Sequence, residues 1–203
     1  DDISYDEINK KFLDKKNNEA SVGKIEKMSK SKKNVIDPTK IIEIYGADTA
    51  RWFMLSDSPP DRDLEWTDAG IGGAYKFINK IWNLLIESVS SDSSSLLDKE
   101  NYTLNEKVNE TIINVTKNID NFHYNKSIAN LYELTNVLQN LITKKTVSRD
   151  CLLNSFKKLA LLLQPFVPHL SEEMWRQLDG PGLAINQKWP KFRRTAAKTY
   201  CNI

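Results

Sequence analysis

Thr67-Asp68-Ala69-Gly70-Ile71-Gly72-Gly73-Ala74-Tyr75-Lys76-Phe77-Ile78-Asn79-Lys80-Ile81-Trp82-Asn83-Leu84-Leu85-Ile86-Glu87-Ser88-Val89 is the stretch on which the fold turns. Ile71, Ala74, Tyr75, Ile78, Ile81, Trp82, Leu85 and Val89 recur at helical spacing, so the spacing predicts one long amphipathic helix. Thr67 or Asp68 is placed to cap it. Gly70, Gly72 and Gly73 weaken its first turn, each by about 1 kcal/mol against alanine. Their expected use is to let another backbone approach closely. The serine run from Ser88 to Ser95, with Asp92 inside it, reads as a flexible linker.

The same periodicity recurs downstream. Leu104, Val108, Ile112, Val115, Ile119 and Phe122 mark one helix, and Ile128, Leu131, Tyr132, Thr135, Leu138, Leu141 and Ile142 the next. Ser148 caps another that carries Leu152, Phe156, Leu159, Ala160 and Leu163. Pro165 and Pro168 punctuate, Ser171 to Leu178 forms a last short helix, and Gly180-Pro181-Gly182 ends the run before Trp189-Pro190 returns the chain. Such stripes bury themselves only against one another, which predicts an up-and-down helical bundle. Trp52, Trp66 and Trp82 are expected in its core. His169 is expected as a capping or buried structural residue rather than a general base.

Upstream, Asp37 and Pro38 open a helix with Ile41, Ile42 and Tyr45 inward, and Gly46 ends it. A second helix is expected from Asp48 to Leu55 with Ala50, Phe53 and Met54 inward. An intrahelical ion pair of Asp48 with Arg51 is favoured over a functional role for either. Ser56-Asp57-Ser58-Pro59-Pro60 breaks the helix, and Arg62 to Trp66 reads as extended. Before residue 27, Ile3, Tyr5, Ile8, Phe12 and Leu13 suggest a short helix, and Ala20 to Ile25 a strand.

Composition narrows the function. The 203 residues are 40% hydrophobic with a net charge of +2, so any nucleic-acid contact has to come from local clusters. Two cysteines without Cys-x-x-Cys spacing and two histidines give no disulfide framework and no zinc site. No apolar run reaches the roughly 20 residues of a membrane span. The chain begins Asp1-Asp2 without a signal-peptide pattern, and reads as a piece of a longer protein from a reducing cytoplasm.

Lys27-Met28-Ser29-Lys30-Ser31-Lys32-Lys33-Asn34 is the most specific segment. Compact ammonium groups alternating with small hydroxyls suit a polyphosphate, although a charge run by itself is commonly a solvated loop. Lys27 to Ser31 is similar to the second signature of class I aminoacyl-tRNA synthetases. Asn34-Val35-Ile36-Asp37-Pro38 and Tyr45-Gly46-Ala47-Asp48-Thr49-Ala50-Arg51 resemble the segment that comes after that signature in the family. Lys32-Lys33-Asn34, Ser58-Pro59-Pro60 and Asp63-Leu64-Glu65-Trp66-Thr67-Asp68-Ala69-Gly70 resemble its leucyl branch, because isoleucyl and valyl relatives more often carry Leu-Gly-Asn after the signature. The likeness is continuous from about Gly23 to about Asn83 and returns as a helical pattern to Trp189-Pro190.

The resemblance implies a mainly α fold, a helical bundle of the synthetase anticodon-binding type preceded by a small α/β stem-contact element. It implies a leader over residues 1–26, the loop and stem-contact element over 27–66, the bundle over 67–190, and a basic tail over 191–203. It further implies activation of leucine with ATP and transfer to tRNA(Leu). Lys30 would meet the β and γ phosphates and the transition state, with Lys27 secondary. Ser29 and Ser31 would shape the loop, and Met28 would anchor it by packing; all five residues form the ATP-binding set. Mg2+ would accompany ATP, bound mainly by a catalytic half outside this sequence, because His-x-Gly-His and an editing region are absent from the 203 residues. Arg62, Lys76 and Lys80 are the candidate tRNA contacts, with a cationic stripe of Lys76 and Lys80 weighed equally against an ordinary solvated face. A monomer with no membrane partner is expected. The other readings are a non-catalytic tRNA-binding or scaffold module, or the same region of an isoleucyl, valyl or methionyl enzyme.

Overall fold

Thr67 is still in the extended conformation, and its hydroxyl accepts from the Gly70 amide at 3.1 Å, capping the start of α3 (Asp68–Val89). The computed structural model describes residues 3–6, 9, 11–16, 18–20, 26–90 and 98–192, and the chain divides into two units, residues 1–38 and 39–203. In the second unit α1 (Pro38–Tyr45), α2 (Ala47–Ser56), α3, α4 (Asp98–Asp120), α5 (Tyr124–Lys144), α6 (Arg149–Leu163) and α7 (Pro168–Gln177) gather around one apolar core, and the fold is mainly α.

The face that α3 buries is Ile71, Ala74, Phe77, Ile81, Leu84, Leu85 and Ser88. This is rotated from the expected stripe: Tyr75 is exposed, and Ile78, Trp82 and Val89 are only partly covered. The cause is contact with α2, α5, α6 and α7 at once, which draws Phe77 inward against Trp52 and Tyr132, with centroids 5.1 and 3.7 Å away. Ser88 belongs to the helix, not to a linker. It is fully buried and its hydroxyl donates to the Leu84 carbonyl at 2.8 Å. Residues 91–95 of the expected linker lie outside the described residues.

Gly70 serves a close approach, but of a side chain. A Cβ there would stand 2.5 Å from the Phe53 ring, whereas Gly72 and Gly73 have nothing within 4 Å of theirs. Trp52 sits at the centre with no exposed surface, its indole nitrogen donating to the Tyr132 hydroxyl at 3.1 Å. Met54 and Ile42, both expected inward, face outward because α1 and α2 each present one side to the bundle.

Three expectations at the α6–α7 corner are corrected. Helix α7 begins at Pro168, three residues before Ser171, since a proline at the first helical position gives up no bond. Among the described residues Asp48 and Arg51 form no ion pair with each other. The Asp48 carboxylate accepts from the Leu170 amide at 2.7 Å and meets His169 Nδ1 at 2.9 Å, capping α7 from another helix. Arg51 donates to the Pro165 and Phe166 carbonyls at 2.7 and 3.0 Å, satisfying carbonyls of the connection between α6 and α7. The His169 side chain is exposed rather than buried. Beyond α7, the Trp189 indole donates to Thr116 Oγ1 at 2.8 Å and returns the chain to α4.

The first unit carries a three-stranded antiparallel sheet, β1 (Ile3–Asp6), β2 (Lys11–Asp14) and β3 (Glu19–Ala20), where a short helix was expected. Asp6 accepts from the Asn9 amide at 3.2 Å. Asp14 accepts from the amides of Lys16 and Asn18, both at 2.8 Å. These aspartate-held turns reverse the chain within a few residues, and the bonds from Asn18 hold the Asp14 carboxyl below its usual range. Of the strand expected over 20–25, residues 21–25 lie outside the described residues.

Candidate functional site

Two successive tight turns build the cationic loop. The Lys32 amide donates to Ser29 O and the Lys33 amide to Lys30 O, both at 3.2 Å, and Lys33 takes φ of 54°. The Ser29 and Ser31 hydroxyls stand 3.2 Å apart, and Ser29 Oγ also accepts from the Lys32 amide at 3.3 Å. Asn34 closes the structure from outside the motif. Its Oδ1 accepts from the Ser29 amide at 2.8 Å while its Nδ2 donates to the Lys27 carbonyl at 3.4 Å. Asn34 stands in the sequence only as a branch marker. The signal for its clamping role is the residue type itself, a donor and an acceptor on one short arm at a turn.

Charge in the loop is unevenly spent. Lys32 pairs with Glu26 at 2.7 Å, whereas among the described residues Lys27, Lys30 and Lys33 have no ion-pair partner. All three are exposed, so their ammonium groups are hydrated and ready to exchange water for phosphate oxygens. Met28, expected as a packing anchor, is exposed as well.

The remaining candidates fall into two places on the bundle. Lys76 and Lys80 line one shallow groove of about 490 Å³ together with Tyr75, Asn79 and Gln139. There Lys80 Nζ donates to Asn136 Oδ1 on α5 at 2.8 Å. Arg62 lines a separate cleft of about 440 Å³ beside the α4–α5 turn. Among the described residues no group of three or more His, Cys, Asp and Glu could hold a metal ion, and no helix is long and apolar enough to cross a membrane. Burial pushes the Cys151 thiol above its usual range, which makes it a poor nucleophile; Cys201 lies outside the described residues.

Residues 20–67 match the family described as tRNA synthetases class I (I, L, M and V), and residues 101–201 match the anticodon-binding domain of tRNA ligase. The chain is 43% identical to the leucine–tRNA ligase of Rhizorhabdus wittichii over 171 residues, 84% of this chain and 19% of that protein. It is 40% identical to that of Sinorhizobium fredii over 204 residues, 94% of this chain and 23% of that protein. A similar solved structure is the crystal structure of the Agrobacterium radiobacter K84 agnB2 LeuRS in a ternary complex with tRNA and LeuAMS. It aligns with a TM-score of 0.71 and 28% identity, over 81% of this chain and 22% of that one. The chain thus spans about a fifth of the length of these relatives.

Proposed function

The chain belongs to the leucine–tRNA ligase family, and from that premise we propose that it supplies a phosphate-gripping loop and a tRNA-binding bundle to an enzyme that activates leucine with ATP and transfers it to tRNA(Leu). The observation that carries this reading is the pair of unneutralised ammonium groups, Lys27 and Lys30, on a turn that Asn34 ties at both ends.

In activation the leucine carboxylate attacks the α-phosphorus of ATP and pyrophosphate departs. Negative charge gathers on the leaving phosphates, so a cation already in position lowers the barrier without reorganising. Lys30, inside the tight turn, is assigned to the β and γ phosphates and Lys27 to longer-range attraction. Ser29 and Ser31 hold the turn and offer hydroxyls to phosphate oxygens, with Met28 beside them. Mg2+ would accompany ATP, but the described residues of the loop offer no carboxylate set to hold it. Glu26 is already bound to Lys32.

The bundle reading divides the chain into the loop and stem-contact element over 27–66, the tRNA-binding helices over 67–190, and flanking segments over 1–26 and 191–203. Lys76 and Lys80 are assigned to the phosphate backbone of the tRNA body, and Arg62 to a different part of it. Lys80 is already oriented by Asn136 and therefore loses less side-chain freedom on binding. The enzyme is placed in the cytoplasm as a monomer.

The test is ATP–pyrophosphate exchange. In the full-length enzyme Lys30→Ala is expected to slow leucine-dependent exchange by about 100-fold or more while the Kd for tRNA(Leu) stays unchanged. Normal exchange in that variant would remove Lys30 from the mechanism. The 203 residues alone, which contain no His-x-Gly-His, are expected to show no exchange.

A further inference from the structure

Helix α4 ends as α5 does at Lys145 and α7 at Asp179, on a non-glycine residue with positive φ, but here that residue is aromatic. The Phe122 amide donates to Ile119 O at 2.9 Å and the His123 amide to Asn118 O at 2.7 Å, the paired bonds of a Schellman closure. That closure puts its last residue in the left-handed region, where glycine or asparagine is favoured. Here the residue is Phe122, with φ of 57°, although Asn121 stands immediately before it. The Phe122 ring is 65% exposed. It stands edge-on to Tyr124 at 6.1 Å, and Tyr124 in turn meets the fully buried Phe166 at 6.4 Å. A core-anchored neighbour therefore sets the direction of a ring that buries little of itself.

This ring borders the cleft of about 440 Å³ that Arg62 lines. The turn Pro59-Pro60-Asp61-Arg62 lines it too, closed by the Arg62 amide donating to Pro59 O at 3.0 Å. Lys126, in the first turn of α5, is the second cation, and that turn carries no acidic residue. Arg62 and Lys126 are exposed and among the described residues form no ion pair. Asp61 is the only carboxylate among the described residues lining the cleft. An isolated exposed apolar residue needs no explanation. An oriented, exposed aromatic face beside two unneutralised cations matches the chemistry of an unstacked nucleotide: base on ring, phosphate on cation. An acidic peptide would use the cations but has no need of the ring.

We infer that this corner is an RNA contact in which an unpaired base stacks on Phe122 while its flanking phosphates meet Arg62 and Lys126. The inference rests on the tRNA-binding reading and adds to it the place where an unstacked nucleotide is held.

The experiment measures binding of the chain to an unmodified tRNA(Leu) transcript and to a fully paired RNA hairpin stem, across a salt series, with melting temperatures as controls. Phe122→Gly is expected to melt no lower than the wild type, since glycine suits the backbone. It is expected to bind the transcript about tenfold more weakly with an unchanged salt slope, and the paired stem as before. Phe122→Trp is expected to retain the affinity. Arg62→Ala with Lys126→Ala is expected to flatten the salt slope by roughly 1.5. Wild-type affinity in Phe122→Gly, alongside weakened binding in Lys76→Ala with Lys80→Ala, would overturn this inference and leave the tRNA-binding reading intact. Equal losses in the glycine and tryptophan variants with lowered melting would reassign Phe122 to structure and also overturn it. Failure of the wild-type chain to bind the transcript would overturn the tRNA-binding reading, and this contact with it.

Discussion

The loop at 27–34 and the helical unit that begins at Thr39 are held by different forces. In the bundle, Trp52, Ile71, Ile81, Leu85, Leu131, Phe156 and Leu159 are fully buried, and the helices stand because their stripes have nowhere else to go. In the loop almost nothing is buried, and shape comes from a few polar bonds around Ser29 and Asn34. A site that must exchange its water for phosphate cannot be made of apolar burial. A platform that must hold its form under an RNA cannot be made of exposed hydrogen bonds, each contributing only about 1 kcal/mol net. The contrast predicts that the same kind of truncation has very different costs in the two places.

The largest expected effect is at Trp52. Trp52→Ala removes a side chain packed against Phe77, Tyr132 and Phe166 and leaves the Tyr132 hydroxyl without its donor. It is expected to cost about 3–5 kcal/mol of unfolding free energy, read from the denaturant midpoint. A loss under about 1 kcal/mol would mean that the core is not centred where the structure puts it.

That core is legible in outline from the sequence because helical periodicity needs only residue type and spacing. Its rotational phase is not. Phe77 and Leu84 lie inside while Tyr75 lies outside, because a helix packed on several sides buries an arc wider than one stripe, and only the partners decide its edges. The Asp48–His169 contact spans 121 positions, so no local pattern could compete with an Asp48–Arg51 pair one turn apart. The hairpin near the amino end reads as a helix in the sequence because its strands are four residues long, too short for period two to stand out. In the loop the reverse holds. The motif names the chemistry at once, yet Asn34, which gives it shape, carries no charge to draw notice.

An intermediate effect is expected at Asp48, a polar residue with a structural role inside the bundle. Asp48→Ala leaves the Leu170 amide and the first turn of α7 without their acceptor, and is expected to cost about 1–2 kcal/mol. Asp48→Asn keeps an oxygen for Leu170 and removes the charge facing His169. Thermal melts of the two variants separate the cap from the charge: if asparagine recovers most of the loss, the cap dominates. Equal losses would assign the contribution to the charge and its histidine partner.

The smallest effect sharpens the contrast from the loop side. Glu26→Gln dissolves the pair with Lys32, both of whose side chains are more than half exposed, and is expected to change stability by no more than about 0.5 kcal/mol. Its functional effect has the opposite sign, because it releases a further ammonium among Lys27, Lys30 and Lys33. A unit charge about 8 Å from a phosphate in water contributes about 0.5 kcal/mol. In the full-length enzyme the KM for ATP is therefore expected to fall by about twofold at low salt, and the gain to vanish as salt rises and screens it. Steady-state exchange at two ionic strengths reads this directly. A KM that rises instead would mean that the Glu26–Lys32 pair holds the loop in shape, as Asn34 does, rather than merely holding one of its charges back.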